Sequence, residues 1–121
     1  MISKEQFQTF CLPSLARQAR IAGRCVVHVD GPGASKHAEA LAANPDISAL
    51  QYTCGAGTPS ALAKLDMFKL IQSYRKPIVV NCPLEEVPQL VEKLDHRGLA
   101  IRPEWVPDMN AAAELLKVVG A

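Results

Sequence analysis

Four short hydrophobic segments recur along the chain, at 25–30, 47–53, 77–81 and 99–104. In each segment alternate residues are apolar throughout, whereas the residues between them become polar towards the C-terminal end. Because side chains alternate between the two faces of a strand, this pattern predicts β-strands with one apolar face and one face that ends in polar groups. The polar side chains predicted to share the second face are His28, Asp30, Gln51, Thr53, Asn81, Arg102 and Glu104.

Helical patterns precede the first strand and follow each of the four. The predicted helices cover 4–21, 34–44, 59–74, a segment opened by Pro83, and 109–119. Ser3 and Gln6 have the spacing of a capping box, and Pro13 predicts a kink in the first helix. Thr58 and Asp108 are predicted N-caps. One helix followed by four strand–helix units predicts an α/β fold with a parallel sheet, in a single domain spanning residues 1–121.

Four such units are half of the eight that close a TIM-type (β/α)8 barrel. An isolated half-barrel leaves two strand edges unpaired, which exposes backbone groups to aggregation. We therefore expect a homodimer, or a complementary half-barrel chain, to cover these edges. The alternative is an open sheet with helices repacked over both faces.

Charge and cysteine usage narrow the classes of partner and compartment. Thirteen basic and twelve acidic residues give a net charge of +1, so no nucleic-acid partner is expected. The apolar runs are strand-sized, which predicts no membrane partner. The four cysteines form no Cys-x-x-Cys pair and favour a reduced, cytoplasmic protein. Cys11 and Cys25 are interpreted as structural.

Several segments resemble the C-terminal half of the uroporphyrinogen decarboxylase superfamily, which includes cobamide-dependent methyltransferases. They are SKEQFQTFCLP at 3–13, HVDGPG at 28–33, LQYTCGAG at 50–57 and LDMFKLIQ at 65–72. The resemblance extends from residue 3 to about residue 117. It implies the last four units of a (β/α)8 barrel and a small methylated or carboxylated ligand.

The chain departs from both branches of that superfamily. The decarboxylase takes its catalytic aspartate from an N-terminal half that has no counterpart here, and its late Gly-His-Gly motif is missing, so decarboxylation is not expected. The methyltransferase branch binds zinc through a His-x-Cys and a distant cysteine. His28 matches the histidine, Asp30 stands in place of the first cysteine, and Glu104 lies near the last ligand. The resemblance thus implies zinc at His28, Asp30 and Glu104, with Cys82 as an alternative third ligand.

Two interpretations of the first strand stay open. His28 and Asp30 are catalytic, as metal ligands or as an acid–base pair. Alternatively, Asp30 caps the turn at 31–33 and His28 is hydrogen-bonded inside the sheet. His37 and His96 are predicted to be solvated.

A substrate is expected at the C-terminal ends of the strands, where α/β proteins place their sites. The predicted substrate-binding residues are Gln51, Thr53, Gly55, Gly57, Asn81 and Arg102. Gly55 and Gly57 stand between a strand and a helix, where backbone amides bind anions, although tight turns also use glycine. Arg102 either recognises a carboxylate or pairs with Glu104, and the ion pair is slightly favoured. The function stays open between a methyltransferase-like domain and a half-barrel with no activity of its own.

Overall fold

The computed structural model describes residues 2–55 and 60–120. Its helices are α1 (Lys4–Gln6), α2 (Leu12–Ala22), α3 (Gly31–Ser35), α4 (Ala38–Ala43), α5 (Leu65–Ser73), α6 (Val87–Lys93) and α7 (Met109–Val119). A π-helical segment (Phe7–Cys11) joins α1 to α2, and 3₁₀ turns at Leu62–Lys64 and Leu84–Glu86 precede α5 and α6. The strands are β1 (Val26–Asp30), β2 (Ala49–Thr53), β3 (Ile78–Cys82) and β4 (Leu99–Pro103).

The four strands form one parallel sheet in the order β1-β2-β3-β4. This confirms the predicted α/β fold of four strand–helix units, an arrangement consistent with half of a barrel. Successive right-handed crossovers that all step in the same direction place their helices on one side of a parallel sheet. Within the described residues, this strand order therefore leaves the second sheet face without helices. We call that second side the open face.

Burial separates the two faces as the alternation predicted. The side chains on the helix-covered face that are at most 1% exposed are Val29, Leu50, Tyr52, Ile78, Val80 and Cys82. They pack against α4, α5 and α6 through residues such as Leu41, Phe68 and Leu90. On the open face, Val26 is 56% exposed. Helices packed over both faces, the alternative raised from the sequence, are therefore not observed.

The first helix follows its predicted course from Lys4 to Ala22, with an altered turn before Pro13. The Ser3–Gln6 capping box forms, since each backbone N–H donates to the other residue's side-chain oxygen. Pro13 has no N–H to donate, and its ring crowds the carbonyl four residues earlier. The π-helical segment ends at Cys11, two residues before Pro13, with the Leu12 N–H donating to the Phe7 carbonyl. The expected kink therefore takes the form of a π turn.

Two predicted helices differ from the structure. The segment 34–44 is not one helix, since α3 and α4 are separated at Lys36 and His37. The helix expected at 59–74 begins only at Leu62, as a 3₁₀ turn. Thr58 and Pro59, its predicted cap and first residue, lie outside the described residues. By contrast Asp108 caps α7 as expected, because its carboxylate accepts the Ala111 N–H at 2.8 Å.

Candidate ligand site on the open face

A row of polar side chains crosses the open face near the C-terminal ends of all four strands. Asp30 is the Cα partner of Thr53, and Asn81 is the partner of Arg102. The Asn81 amide donates to the Thr53 hydroxyl at 3.0 Å and so links the two pairs. We call these four residues the polar row. Gln51, paired with His28, lies one step further down the same face.

Asn81 has the most distinctive environment in the polar row. It lies on the central strand β3 and is 7% exposed. Its Nδ2 donates to Thr53, whereas its Oδ1 is buried and has no partner among the described residues. Because a hydroxyl both donates and accepts, turning the amide would still leave one end unpaired. A buried amide group without a hydrogen-bond partner costs about 1–3 kcal/mol, so a ligand that bonds to the free end of Asn81 would recover this free energy.

Arg102 is not paired with Glu104. The ion pairs among the described residues join Arg20 to Asp46 and Lys117 to Glu114. The slight preference for an Arg102–Glu104 salt bridge is therefore wrong. Neither pair involves Arg102 or Glu104, and Glu104 lies in the bend that follows β4 rather than in the strand. The exposed guanidinium of Arg102 is left available beside Asn81.

The first strand presents His28 and Asp30 on the open face, where both are exposed. Asp30 is the N-cap residue of α3, but its side chain makes no capping hydrogen bond. The interpretation of Asp30 as a turn cap and His28 as a side chain enclosed in the sheet is therefore wrong. Both side chains face the side that no helix covers.

One protomer does not assemble the implied zinc ligands. Among residues 2–55 and 60–120, no group of three or more His, Cys, Asp or Glu side chains is placed to hold a metal ion. The sheet order explains this, because His28 and Asp30 lie on one edge strand and Glu104 follows the other, three strand spacings or about 14 Å away. Cys82 has the opposite parity to Asn81 and is buried under the helices. The donor set of a single protomer thus does not fit a zinc site.

The glycines of the first two strand–helix loops pack against each other. A Cβ on Gly55 would lie 2.9 Å from the Gly31 Cα, closer than packed atoms approach. Gly31 also has a φ of +62°, a conformation that glycine adopts without strain. Close contact between the two loops therefore accounts for both glycines. Gly57, predicted to bind substrate, lies outside the described residues.

Glu86 joins the second and third strand–helix units, a role that the sequence did not reveal. Its carboxylate is 8% exposed and accepts the backbone N–H groups of Ala61 and Leu62 at 2.9 and 3.2 Å. Glu86 lies at the start of its own helix α6, where an acidic residue is common. It serves the start of the neighbouring helix instead, and no local pattern distinguishes the two.

Two thiols lie beneath the polar row on the helix-covered side. Burial raises the pKa of Cys82 to about 12, with the nearby Glu86 carboxylate as the second cause. Burial also raises the pKa of Cys54, followed by the negative charges of Glu104 and Glu86. Both groups are therefore protonated thiols at neutral pH, and neither is an activated nucleophile.

His37 is buried, contrary to the prediction that it is solvated. Its ring stacks on Phe7 with a centroid distance of 4.1 Å and is 7% exposed. Burial lowers the pKa of His37, and the charges of Lys36 and Lys4 lower it further. His96 is exposed as expected and contacts the Val91 carbonyl.

Comparisons with protein-family models, with curated proteins and with solved structures give no match to this chain. The residues themselves therefore carry the functional argument. In the described part of the chain, no helix has the length and apolar character needed to cross a membrane.

Proposed function

We propose that this chain is a ligand-binding half-barrel, similar to the uroporphyrinogen decarboxylase and cobamide-dependent methyltransferase superfamily, that binds a small carboxylated or methylated molecule. The ligand lies on the open face at the C-terminal ends of the strands. The single observation that carries the proposal is Asn81, a buried amide on the central strand with one end unpaired. The fold supports it, since parallel sheets of this class bind ligands at this end.

The neighbours of Asn81 favour a carboxylate. Arg102 is its direct strand partner and offers a planar pair of N–H donors that matches a carboxylate. Thr53 adds a hydroxyl on the other side of the amide. When the Asn81 amide is turned so that the Thr53 hydroxyl donates to its oxygen, its NH2 group donates to one ligand carboxylate together with the Arg102 guanidinium. The small and aliphatic residues lower on the open face suit a methyl group.

The zinc implied by the resemblance has no part in this proposal, because one protomer does not present three suitable ligands. The polar row binds and orients a ligand without it. The four cysteines are free thiols, which supports the cytoplasmic location expected from the sequence.

The test is an NMR titration with two probes, succinate as a dicarboxylate and glycine betaine as a methylated carboxylate. Shifts are expected in the side-chain signals of Asn81 and Arg102. Arg102→Gln removes a charge-assisted contact worth about 1.5–3 kcal/mol, so the affinity for succinate falls about tenfold or more. Arg97→Gln is the matched control, because Arg97 is an exposed arginine in the turn that precedes the same strand, away from the polar row.

Tetramethylammonium, which has methyl groups but no carboxylate, separates the two chemistries. If it binds as well as glycine betaine, and succinate does not bind, the methyl groups rather than the carboxylate are recognised. If neither succinate nor glycine betaine changes the NMR chemical shifts of the polar row, the proposal is wrong. It is also wrong if Arg97→Gln weakens binding as much as Arg102→Gln.

A second candidate is a half-barrel without activity of its own, acting as an interaction domain. The protonated thiols and the separation of Glu104 from His28 favour it over catalysis. The succinate titration separates the two, because the proposed function needs no zinc. Succinate binding that Arg102→Gln weakens favours the ligand-binding function, and no succinate binding favours the interaction domain.

A further inference from the structure

We propose that two copies of this chain close into an eight-stranded barrel, with β4 of each copy paired to β1 of the other, and that the ligand site is completed across this junction. The inference rests on the proposed function for the site and adds the partner that finishes it.

The hydrogen-bond pattern leaves matching groups on both edges. In β1 the Cys25 carbonyl accepts the Ala49 N–H, so odd-numbered residues bond to β2 and even-numbered residues point their N–H and C=O to the free edge. In β4 the Glu104 N–H donates to the Cys82 carbonyl, so even-numbered residues bond to β3. The free edge presents the Leu99 carbonyl and both backbone groups of Ile101, whereas the Leu99 N–H donates to the His96 carbonyl. All strands run in one direction, so β4 meets β1 of a second copy in the same parallel sense as every other pair.

Apolar surface flanks each edge. The β1 flank, which we define as residues 2–26, exposes Phe10 (74%), Ile21 (78%) and Val26 (56%). The β4 flank, residues 99–119, has a groove of about 500 Å³ between α6, α7 and β4, lined mainly by aliphatic side chains. Leu116 lines this groove and is half exposed, and Val118 adds exposed apolar surface beside it. In the proposed barrel, the first helix of the second copy packs at this edge, next to the groove.

The charges of the two flanks are opposite, which selects a second copy in this head-to-tail arrangement. The β1 flank carries four basic residues and one acidic residue, Lys4, Arg17, Arg20, Arg24 and Glu5, of which Arg20 pairs with Asp46. The β4 flank carries three acidic and two basic residues, Glu104, Asp108, Glu114, Arg102 and Lys117, of which Glu114 and Lys117 pair with each other. Opposite charges attract β4 to β1 of the other copy, whereas two identical flanks repel each other.

Closure changes which polar residues are neighbours. Within one protomer His28 and Arg102 lie on opposite edge strands, about 14 Å apart in strand spacing. In the closed barrel β4 lies one spacing, about 4.8 Å, from β1 of the second copy. A ligand held by Asn81 and Arg102 of one copy then lies beside His28 and Asp30 of the partner subunit. The barrel therefore has two equivalent junctions, each built from both chains.

The first test is the solution mass by sedimentation equilibrium. The wild type is expected at twice the 13.1 kDa protomer mass. Val26→Lys places a charge in the junction and raises the dimer dissociation constant at least tenfold, whereas Leu70→Lys, a similar change on the outer surface of α5, leaves it unchanged. A wild type that is monomeric at NMR concentrations overturns the inference, as does equal weakening by both variants. A mass that grows past two copies also contradicts it, because edges that do not close form open chains.

The second test mixes two site variants, His28→Ala and Arg102→Gln, each of which is expected to weaken succinate binding. In an exchanged mixture half the dimers contain one of each chain, and one of their two junctions is wild type, so about one quarter of the binding sites return. No recovery, or full binding by His28→Ala alone, contradicts a shared site. A stable dimer that does not bind succinate contradicts the proposed ligand but agrees with barrel closure. A monomer that binds succinate contradicts barrel closure but agrees with the proposed ligand.

Discussion

Glu86 offers the sharpest stability prediction, because one buried carboxylate links two units of the fold. It follows β3 but accepts the N–H groups of Ala61 and Leu62, at the start of the helix that follows β2. Glu86→Ala removes the acceptor and leaves two N–H groups in a largely buried position. Hydrogen bonds to a charged group contribute about 1.5–3 kcal/mol each.

The two bonds share one oxygen, Oε2, so their contributions do not add fully. We expect Glu86→Ala to lower the free energy of unfolding by about 3 kcal/mol, a large part of the about 5–15 kcal/mol typical of a domain. Glu86→Gln keeps a carbonyl oxygen that accepts the same N–H groups and loses only the charge. Its expected cost is about 1 kcal/mol.

Urea unfolding followed by circular dichroism measures these differences. With a slope near 1.5 kcal/mol per molar urea, 3 kcal/mol lowers the midpoint by about 2 M. Glu85→Ala is the matched control, since Glu85 is the exposed preceding residue and is expected to change stability by less than about 0.5 kcal/mol. If Glu86→Ala and Glu85→Ala have the same midpoint, the carboxylate does not join the two units and the reasoning is refuted.

Three further predictions follow from other buried groups. Phe68 is fully buried, so Phe68→Ala is expected to lower the free energy of unfolding by about 3–5 kcal/mol in the same urea assay, whereas Phe10→Ala at an exposed position changes it little. His37 has a lowered pKa from burial and nearby positive charge, so the native state binds fewer protons than the unfolded state; its stabilisation is complete above pH about 6.5 and is lost as the pH falls towards the lower folded pKa. His37→Gln should therefore lose less stability between pH 7 and pH 5 than the wild type or His96→Gln, and an equal loss contradicts this. Cys82, whose pKa burial raises to about 12, should be the last of the four thiols alkylated by iodoacetamide at pH 8 in the native protein, as peptide mass spectrometry will show, and early alkylation would contradict its burial.

The fold was largely predictable because its signals are local. Alternation within each strand identified the faces, and the Ser3 and Asp108 caps confirm two helix starts. The prediction of one helix over 34–44 was wrong for a non-local reason. Its alanines favour one helix, but His37 stacks on Phe7 from the first helix, and the helix is interrupted at that position. A contact between residues thirty positions apart leaves no trace in helix propensity.

The candidate site was predicted as a set of residues but not as a set of contacts. Strand parity placed Thr53, Asn81 and Arg102 on one face, and their register confirms that they share a level. Parity does not reveal that Asn81 is buried, which depends on β3 being an inner strand. It also does not reveal that Glu104 is far from His28, since that follows from the order of strands in the sheet. Parity also does not reveal that Arg102 and Glu104 are not paired with each other, since Glu104 lies in the bend after β4 and not in the strand.

The residues of the open face indicate that a further protein surface packs over it. All-parallel sheets are nearly always buried on both faces, whereas this sheet has helices on one. A face made only for water would be polar along its whole length. Here polar residues stand at the C-terminal ends, and below them the face is lined by Val26, Ala49, Val79 and Ala100. Small aliphatic residues under a polar rim are the pattern of a barrel interior, in which the lower layers pack and the upper layer meets a ligand. The same residues that make a lone protomer incomplete are those that a second half-barrel would bury.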